Sequence, residues 1–512
     1  MRVAVIGSGA AALGVLDRLA AEPCPPHITL FDRREVEPPA QPPVSAWTPQ
    51  SLRRSSATSR SSRVLQFPPP KANFGLEHTY RRVEDWGRVW DSALPGGLTN
   101  FWGLSAVPFD AAEFARWPVA AADLADHYRA IAERIGITGR TDRLAAYLCD
   151  EPINRPPIPV PPIVEALEES VNALGEGERY RLVAGAARLA LETRPDRDCH
   201  CIACGECRLG CPRGAMYSTV RDIEAWRRSG LIGTLVPARV LAISADRRMV
   251  VCLGKDGARE SVGPFDAIYV CAGCINTTEI AMRTLAIEDG PEVVDNAAFT
   301  FPIVHFGRHR EGGDPAKYIA LTNLLVLVVP KEPGASPVGQ IQIYPMIDDL
   351  WRYYLPVFAW GAASYIGRHL RRRVLLGRVF LHGRHSQRYA IRLRGDDPAS
   401  LHLSSPGISA RELRPFWADV RRAFGGEFRM LPGTPLRLRT SAHYAATLPA
   451  GEGPVAADSS IAPGVYLCDS SVFPAAPAAS PTFTIMANAR RIAHDSLAQL
   501  AHAHAPQSRT GT

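Results

Sequence analysis

The chain has 512 residues, of which 46% are hydrophobic and 21% charged, the balance of an ordinary globular protein. This length exceeds what one compact core accommodates and predicts two or three interwoven domains. The formal net charge is +7, but acidic residues are interspersed with the basic ones and nearly all the basic residues are arginine. The composition therefore does not predict a nucleic-acid partner.

The first residues already form a strand pattern, Arg2 to Ile6, and no signal-peptide pattern precedes it. The longest apolar stretch, Tyr353 to Ile366, is too short to span a membrane and contains Pro356 and Gly361. We therefore expect a cytoplasmic protein. In that reducing compartment eleven cysteines are not expected to form disulfides, and their clustering indicates metal or redox use.

A dinucleotide-binding pattern occupies the N-terminus. The strand is followed at once by Gly7 to Ala12, a G-x-G-x-x-A turn, and then by a helical pattern. Gly7 permits the tight turn, Gly9 lets the backbone approach a pyrophosphate, and Ala12 allows helix and strand to pack closely. A second strand ends at Asp32, where a carboxylate is expected to meet ribose hydroxyls, which favours FAD or NAD over NADP.

Three further segments resemble the glucose–methanol–choline (GMC) oxidoreductase superfamily. Pro95 to Gly103, followed by Trp117-Pro118, is similar to the family's glycine loop beside the flavin ring. Ile268 to Cys274 looks like a strand that returns to the nucleotide, and Ala238 to Val240 like the strand that contacts adenine. Gly464 to Ala489 is similar to the closing signature of the family. The N- and C-terminal thirds carry this resemblance, and the middle third matches only loosely.

The resemblance implies an α/β fold, in which a Rossmann-like FAD domain built from discontinuous segments carries an antiparallel-sheet substrate domain. It also implies non-covalent FAD, because Phe101 stands where relatives that attach FAD covalently have a histidine. The expected FAD-binding residues, from the turn and the family segments together, are Gly7, Gly9, Ala12, Asp32, Gly97, Asn100, Val240, Ala272, Gly273, Asp469 and Thr482.

The resemblance further implies a catalytic pair. The family places its proton-accepting histidine in H-x-x-G-T, and this chain has His443 in that position, with Ala446 where glycine is usual. A neutral imidazole suits a general base because its pKa lies near neutral pH. Ser480 stands in the partner position, but a hydroxyl cannot replace a second imidazole. His382 and His385 are alternatives for completing the site, although both are interpreted first as ordinary polar residues of the segment Val379 to Leu393.

A cysteine run, C-x2-C-x2-C-x3-C-P, is formed by Cys201, Cys204, Cys207 and Cys211, with Cys199 just before it. This spacing is that of bacterial ferredoxins and favours one 3Fe-4S or 4Fe-4S cluster. The run is similar to a loop in the catalytic subunits of bacterial FAD-dependent glucose dehydrogenases. A structural zinc ion and free or disulfide-paired thiols without metal are the alternatives.

The expected domain organisation has an FAD domain over 1–295, with an insert at about 105–215. A substrate sheet with a lid follows over 296–430, then a return to the FAD domain over 431–500 and a disordered tail over 501–512. Strands are expected at Ala320–Val329, Gly339–Tyr344 and Val379–Leu393. The aromatic and then basic stretch Leu350 to Arg378 is interpreted as a helical lid, with a membrane-surface segment as the alternative.

The resulting hypothesis is oxidation of an alcohol, with a sugar-type hydroxyl favoured, by hydride transfer to FAD. His443 would accept the proton and the cysteine cluster would relay electrons to an external acceptor or a small partner subunit. A dehydrogenase is favoured over an oxidase on this hypothesis. Two alternatives are a flavoprotein with reductase or redox-neutral chemistry and a non-catalytic, cluster-bearing subunit.

Overall fold

The computed structural model describes most of the chain. The described residues are 1–34, 80–83, 87–149, 152–205, 207, 211, 213–254, 256–288, 290–307, 318–345, 373–431, 435–438 and 440–504; of 80–83, 87–88 and 501–504 only the backbone is described. Most of the expected lid and residues 505–512 of the expected tail lie outside this part, while 501–504 continue the last helix.

A mostly parallel six-stranded sheet forms the first layer, in the order β23-β24-β12-β1-β2-β8. Its strands read as short apolar runs because both faces of a parallel sheet are covered. In β1, Val3 pairs with Ala267 on one side and Ile28 on the other, so the N-terminal strand lies at the sheet's centre. The strand bounds are Arg2–Ile6 (β1), His27–Phe31 (β2), Ile232–Val236 (β8), Ala267–Val270 (β12), Ser460–Ala462 (β23) and Val465–Leu467 (β24).

Helices cover this sheet. The first helix, α1, packs along the last, α7, so closely that a Cβ on Gly14 would lie 2.1 Å from the carbonyl oxygen of Met486. The C-terminal helix therefore returns to the first βα unit. The seven α-helices of the described residues are Ala10–Ala20 (α1), Ala121–Ile135 (α2), Pro162–Leu174 (α3), Val220–Arg228 (α4), Cys274–Leu285 (α5), Arg414–Ala423 (α6) and Thr482–His504 (α7).

A seven-stranded antiparallel sheet forms the second large layer, in the order β20-β14-β17-β16-β15-β6, with β21 also paired to β14. One face is apolar: Ile341, Val379 and Phe301 pack with residues of α3 and α6. Because side chains alternate along a strand, the opposite face carries polar and aromatic residues. The strands are Tyr180–Ala186 (β6), Ala298–His305 (β14), Leu324–Pro330 (β15), Gly339–Pro345 (β16), Val374–Leu381 (β17), Phe428–Met430 (β20) and Leu436–Arg437 (β21).

Three further sheets, of six, three and two strands, complete the described fold, in the orders β22-β13-β18-β19-β3-β4, β11-β10-β9 and β5-β7. Their strands are Tyr80–Val83 (β3), Gly87–Trp90 (β4), Ile137–Thr138 (β5), Leu189–Ala190 (β7), Arg239–Ser244 (β9), Met249–Leu253 (β10), Arg259–Val262 (β11), Glu292–Asp295 (β13), Gln387–Arg394 (β18), Asp397–Ser405 (β19) and Tyr444–Ala445 (β22). Within the described residues, no helix is both long and apolar enough to cross a bilayer.

The middle of the chain differs from the sequence prediction in three places. The strand expected at Ala320–Val329 begins at Leu324 and ends at Pro330. The segment Val379–Leu393 is two strands, β17 and β18, separated by a 3-10 turn at Gly383–His385. The basic end of the expected lid is also strand, because β17 begins at Val374 and includes Arg378. The dense arginines suggested a solvated helical face, whereas alternation places Arg378 on the polar face of the antiparallel sheet.

Candidate functional site

A single cavity of about 580 Å³ lies between the parallel sheet and the polar face of the seven-stranded sheet. Its lining includes both the glycine turn after β1 and His443, which are separated by more than four hundred residues in the sequence. The cavity thus has a glycine-turn end and a histidine end.

The glycine turn has the geometry that the sequence pattern requires. Gly7 has φ +100°, and a Cβ there would lie 2.5 Å from the carbonyl oxygen of Cys271 on the neighbouring strand. Gly9 is the N-cap of α1 and supplies no side-chain cap, so the first N–H groups of α1 are not capped by it. Uncapped donors and the positive helix end suit a phosphate group.

Asp32 follows β2 and is buried at the edge of the cavity. Its Oδ2 atom is buried without a hydrogen-bond partner among the described residues. Burial raises the pKa of this carboxyl, partly offset by a hydrogen bond from Ser8 and by the charges of Arg34 and Arg33. A buried acceptor without a donor fits a ribose hydroxyl group, as the nucleotide prediction requires.

The loop Pro95 to Gly103 is fixed against the glycine turn. The backbone N–H of Gly96 donates to the Ser8 hydroxyl at 2.8 Å. The Asn100 amide donates to the carbonyl oxygens of Pro95 and Gly97, at 2.7 and 3.2 Å, and its Oδ1 accepts from Ser218. Gly97 lines the cavity, while Asn100 instead holds the loop from behind.

Asp469 joins the ends of two strands of the parallel sheet. Its Oδ2 accepts hydrogen bonds from the Gly273 N–H, at 2.9 Å, and from the Thr277 hydroxyl. Its Oδ1 accepts from the N–H of Ser471 at 3.0 Å. Burial raises the pKa of the carboxyl, and these hydrogen bonds lower it. Asp469 lines the cavity, but protein donors engage both of its oxygens.

His443 stands at the other end of the cavity, in the loop before β22. Its ring lies over the Phe380 ring, with 4.5 Å between centroids and 31° between planes. The Nδ1 atom is buried and has no hydrogen-bond partner among the described residues. Burial, and then the positive charge of Arg378, lowers the pKa of His443 to about 4. The imidazole is therefore neutral at neutral pH and able to accept a proton.

The loop that carries His443 is held by Asp295, a fully buried residue at the end of β13. Ser441 donates its N–H and its hydroxyl to Asp295 Oδ1, and Gln387 donates to Oδ2 at 2.9 Å. The Ser441 hydroxyl in turn accepts the N–H of His443 at 3.0 Å. Burial raises the pKa of Asp295 to about 6. No sequence motif marks Asp295, because an aspartate at a strand end is commonplace.

Ser480 lies near the start of α7 and lines the histidine end. Its hydroxyl accepts a hydrogen bond from the Gln342 amide on β16 at 3.3 Å. Gln342 also accepts from Tyr344 and Thr322 through its Oε1. Gln342, Tyr344, Arg378 and Phe380 are cavity residues that the motif analysis missed. The alternation of polar residues in Gln340 to Tyr344 was the available signal.

Neither alternative histidine lines the cavity. His382 Nε2 lies 3.2 Å from a carboxylate oxygen of Glu113, and His385 Nε2 accepts from Arg384. Both belong to the turn between β17 and β18 and have protein partners there. The structure therefore gives no reason to assign either of them to the site.

Most of the predicted cofactor residues lie along this one cavity: Gly7, Gly9, Asp32, Gly97, Val240, Ala272, Gly273, Asp469 and Thr482. Ala12 and Asn100 do not line it. Ala12 is fully buried in the core beneath α1, the packing position that the turn motif assigned to it. Additional lining residues near the glycine turn are Asp91, Arg239, Asn276 and Glu279.

The predicted cysteine site is not supported by a metal-binding arrangement. Among the described residues, no three His, Cys, Asp or Glu side chains form a group that could hold a metal ion. Cys201, Cys204, Cys207 and Cys211 lie near one another, and Cys207 is buried. Burial raises the pKa of the Cys201 thiol to about 11. The described structure therefore does not support the predicted iron–sulfur cluster.

No protein-family model matches the sequence, and no curated protein shows significant sequence similarity to it. Solved structures resemble the fold. Pyridoxine 4-oxidase from Mesorbium loti is 16% identical with a TM-score of 0.62, covering 96% of this chain and 98% of that one. A formate oxidase variant from Aspergillus oryzae is 14% identical with a TM-score of 0.61, covering 97% and 98%. A fungal aryl-alcohol oxidase is 13% identical with a TM-score of 0.57, covering 98% and 99%.

These structural neighbours share the architecture over nearly the whole chain, so the predicted α/β fold with an antiparallel-sheet domain is confirmed. At these identities the similarity extends to the architecture and not to the chemistry of individual residues.

Proposed function

We propose that the chain is an FAD-dependent oxidoreductase that oxidises an alcohol to a carbonyl compound. One observation carries the proposal: a single cavity joins the glycine turn and Asp32 to a neutral histidine and a serine hydroxyl. The oxidase names of the structural neighbours, and the FAD named for the formate oxidase variant, agree with it.

The glycine-turn end fits FAD. The uncapped first turn of α1 would hold the pyrophosphate, and the orphaned Asp32 Oδ2 would accept a ribose hydroxyl. Phe101 lines the cavity and offers no nucleophile, so the cofactor is expected to be non-covalent. Bound FAD would supply the hydride acceptor for the alcohol carbon.

Side chains at the histidine end would accept the proton of the substrate hydroxyl. His443 lines the cavity and is neutral, so its imidazole can accept the proton of the substrate hydroxyl while the carbon loses a hydride. Ser480, oriented by Gln342, would hydrogen-bond the substrate oxygen. The aromatic rings of Trp102, Tyr344 and Phe380 would exclude water from this end.

The test is anaerobic mixing of purified, FAD-loaded protein with a panel of alcohols that includes sugars. Bleaching of the flavin absorbance by at least one alcohol, and its loss in His443→Ala with FAD content unchanged, are the expected results. The proposal fails if no alcohol bleaches the flavin, or if His443→Ala reacts as fast as the unaltered protein. Acid precipitation should release the FAD into the supernatant.

The electron acceptor and the cysteine site are decided by separate measurements. Oxygen uptake with hydrogen peroxide formation would identify an oxidase, and reduction of a dye without oxygen uptake a dehydrogenase. Iron, sulfide and zinc analysis of anaerobically purified protein tests the cluster predicted from the cysteine spacing. The proposed reaction does not depend on such a cluster, since no metal-binding group is present among the described residues.

A further inference from the structure

Arg378 is the charged residue of the histidine end of the cavity. The other described lining residues there are neutral at neutral pH: Trp102, Gly103, Ser105, Gln342, Tyr344, Phe380, His443 and Ser480. The acidic lining residues belong to the glycine-turn end. Asp91, for example, accepts from Arg33 and Asn276, and Asp469 from Gly273. The histidine end therefore has a positive electrostatic character.

The Arg378 guanidinium lacks a counter-ion among the described residues. Its Nε is buried without a hydrogen-bond partner, and no described carboxylate lies at ion-pair distance. Its recorded contact is with the Tyr344 ring, whose centroid lies 5.9 Å from Cζ. A partly buried cation without a partner is costly to maintain, so a bound anion would stabilise this arrangement.

The surroundings favour a singly charged carboxylate over a phosphate. One guanidinium with neutral neighbours balances one negative charge, and the planar fork of arginine matches the two oxygens of a carboxylate. Gln342 lies directly opposite Arg378 in the register between β16 and β17, so their side chains share the polar face of the sheet. This pairing places a neutral amide beside the expected anion.

Arg378 lies close to His443. Arg378 and Phe380 are two residues apart on one face of β17, a separation of about 7 Å, and the Phe380 ring lies over His443. A small molecule can therefore contact Arg378 and His443 together. We propose that the substrate is an alcohol that also carries a carboxylate, and that Arg378 selects it by pairing with that carboxylate. This inference rests on the proposed alcohol oxidation and adds the substrate class.

The test compares two alcohols that differ mainly in charge, 4-(hydroxymethyl)benzoate and 4-(hydroxymethyl)benzamide, with the FAD-loaded enzyme. We expect kcat/KM to be at least about tenfold higher for the acid, mostly through KM. Arg378→Gln should remove that preference by bringing kcat/KM for the acid down to the value for the amide, while Arg378→Lys should keep part of it. Arg388→Gln is the matched control, because Arg388 and Glu292 form a part-exposed ion pair that does not line this cavity.

Equal rates for the acid and the amide, or an equal loss of both in Arg378→Gln, would overturn the proposal. If neither alcohol reduces the flavin, the proposed oxidation fails for these compounds. The binding of benzoate and benzamide then tests separately whether Arg378 binds an anion. Benzoate should perturb the flavin spectrum and bind about tenfold more tightly than benzamide, and Arg378→Gln should abolish the difference. Benzoate that binds no more tightly than benzamide refutes the anion site. If Arg378→Gln does not fold, the ratio of kcat/KM for the acid to kcat/KM for the amide in the unaltered protein decides whether the proposal stands.

Discussion

Ser441 donates both its backbone N–H and its hydroxyl to one carboxylate oxygen of Asp295. The same hydroxyl accepts the N–H of His443, two residues further along the chain. The buried carboxylate thereby fixes a loop that would otherwise have few contacts to define it. Asp295 is a positioning residue in this arrangement, since it acts on His443 through Ser441.

Asp295→Asn should lower kcat by about tenfold or more while KM changes little, because a loosened loop misplaces His443 and leaves the rest of the cavity intact. The measurement is steady-state kinetics together with FAD content. Asp295→Glu is expected to recover part of the rate, and a purely structural role would instead lower FAD content and melting temperature in parallel with activity.

Protonation of His443 should make kcat/KM decrease at low pH. Its pKa in the folded protein is lowered to about 4, so protonation of His443 should lower kcat/KM as the pH drops through 4. Protonation of Asp295, whose pKa is about 6, should add a separate decrease that is absent from Asp295→Asn. Profiles of kcat/KM over pH 3.5–8, roughly the range that brackets this pKa, check this, with circular dichroism at each pH as the control for unfolding. In Asp295→Asn, where that carboxyl no longer titrates, a limb near 6.5, the ordinary histidine value, would show that the imidazole is not desolvated in the working enzyme.

The same shift links stability to pH. The pKa of His443 is 6.5 in the unfolded chain and about 4 in the folded one, so the unfolded state binds more protons between these values. The contribution of a neutral His443 to folding is complete above pH 6.5 and is lost as the pH falls towards 4. His443→Gln should therefore flatten the change in unfolding free energy across that interval, measured by urea titration at several pH values.

Gly7→Ala should destabilise the protein by roughly 2–4 kcal/mol and prevent FAD retention. Its Cβ would lie 2.5 Å from the Cys271 carbonyl oxygen, in a left-handed backbone conformation. Gly230→Ala is the matched control, since Gly230 has φ +82° and its Cβ would meet nothing within 4 Å. The control should cost only about 1 kcal/mol and keep its FAD. Equal effects in thermal melts of both variants would contradict the steric argument.

Replacing the two glutamines of β16 with leucine should have different effects: one replacement lowers activity and the other raises stability. Gln342→Leu removes the donor to Ser480 and should lower kcat/KM by about tenfold. Gln340 is fully buried and both of its side-chain polar atoms lack partners among the described residues. Gln340→Leu should therefore raise the unfolding free energy by about 1 kcal/mol, because no hydrogen bond is lost. Chemical denaturation and kinetics of both variants test this contrast.

The parts of the site that depend on local geometry were predictable from the sequence. Gly7, Gly9 and Asp32 follow from a strand, a tight turn and a helix, all within the first 32 residues. These residues require a positive φ, a close backbone approach and an acid at the end of the next strand. A short stretch of sequence is enough to predict all three. The closing signature and His443 were found through resemblance, and the confirmed fold brings both of them to the same cavity.

Only the tertiary structure decided the residues that close the histidine end. Arg378 belongs to an arginine-rich run that indicated a solvated lid, yet it lines the cavity. Asp295 belongs to no motif, yet it fixes the loop that carries His443. Their roles depend on the register of antiparallel strands distant in sequence, which pairs Arg378 with Gln342 and brings β13 beside β22. A shift of one residue would turn each side chain to the opposite face, and local sequence does not encode that register.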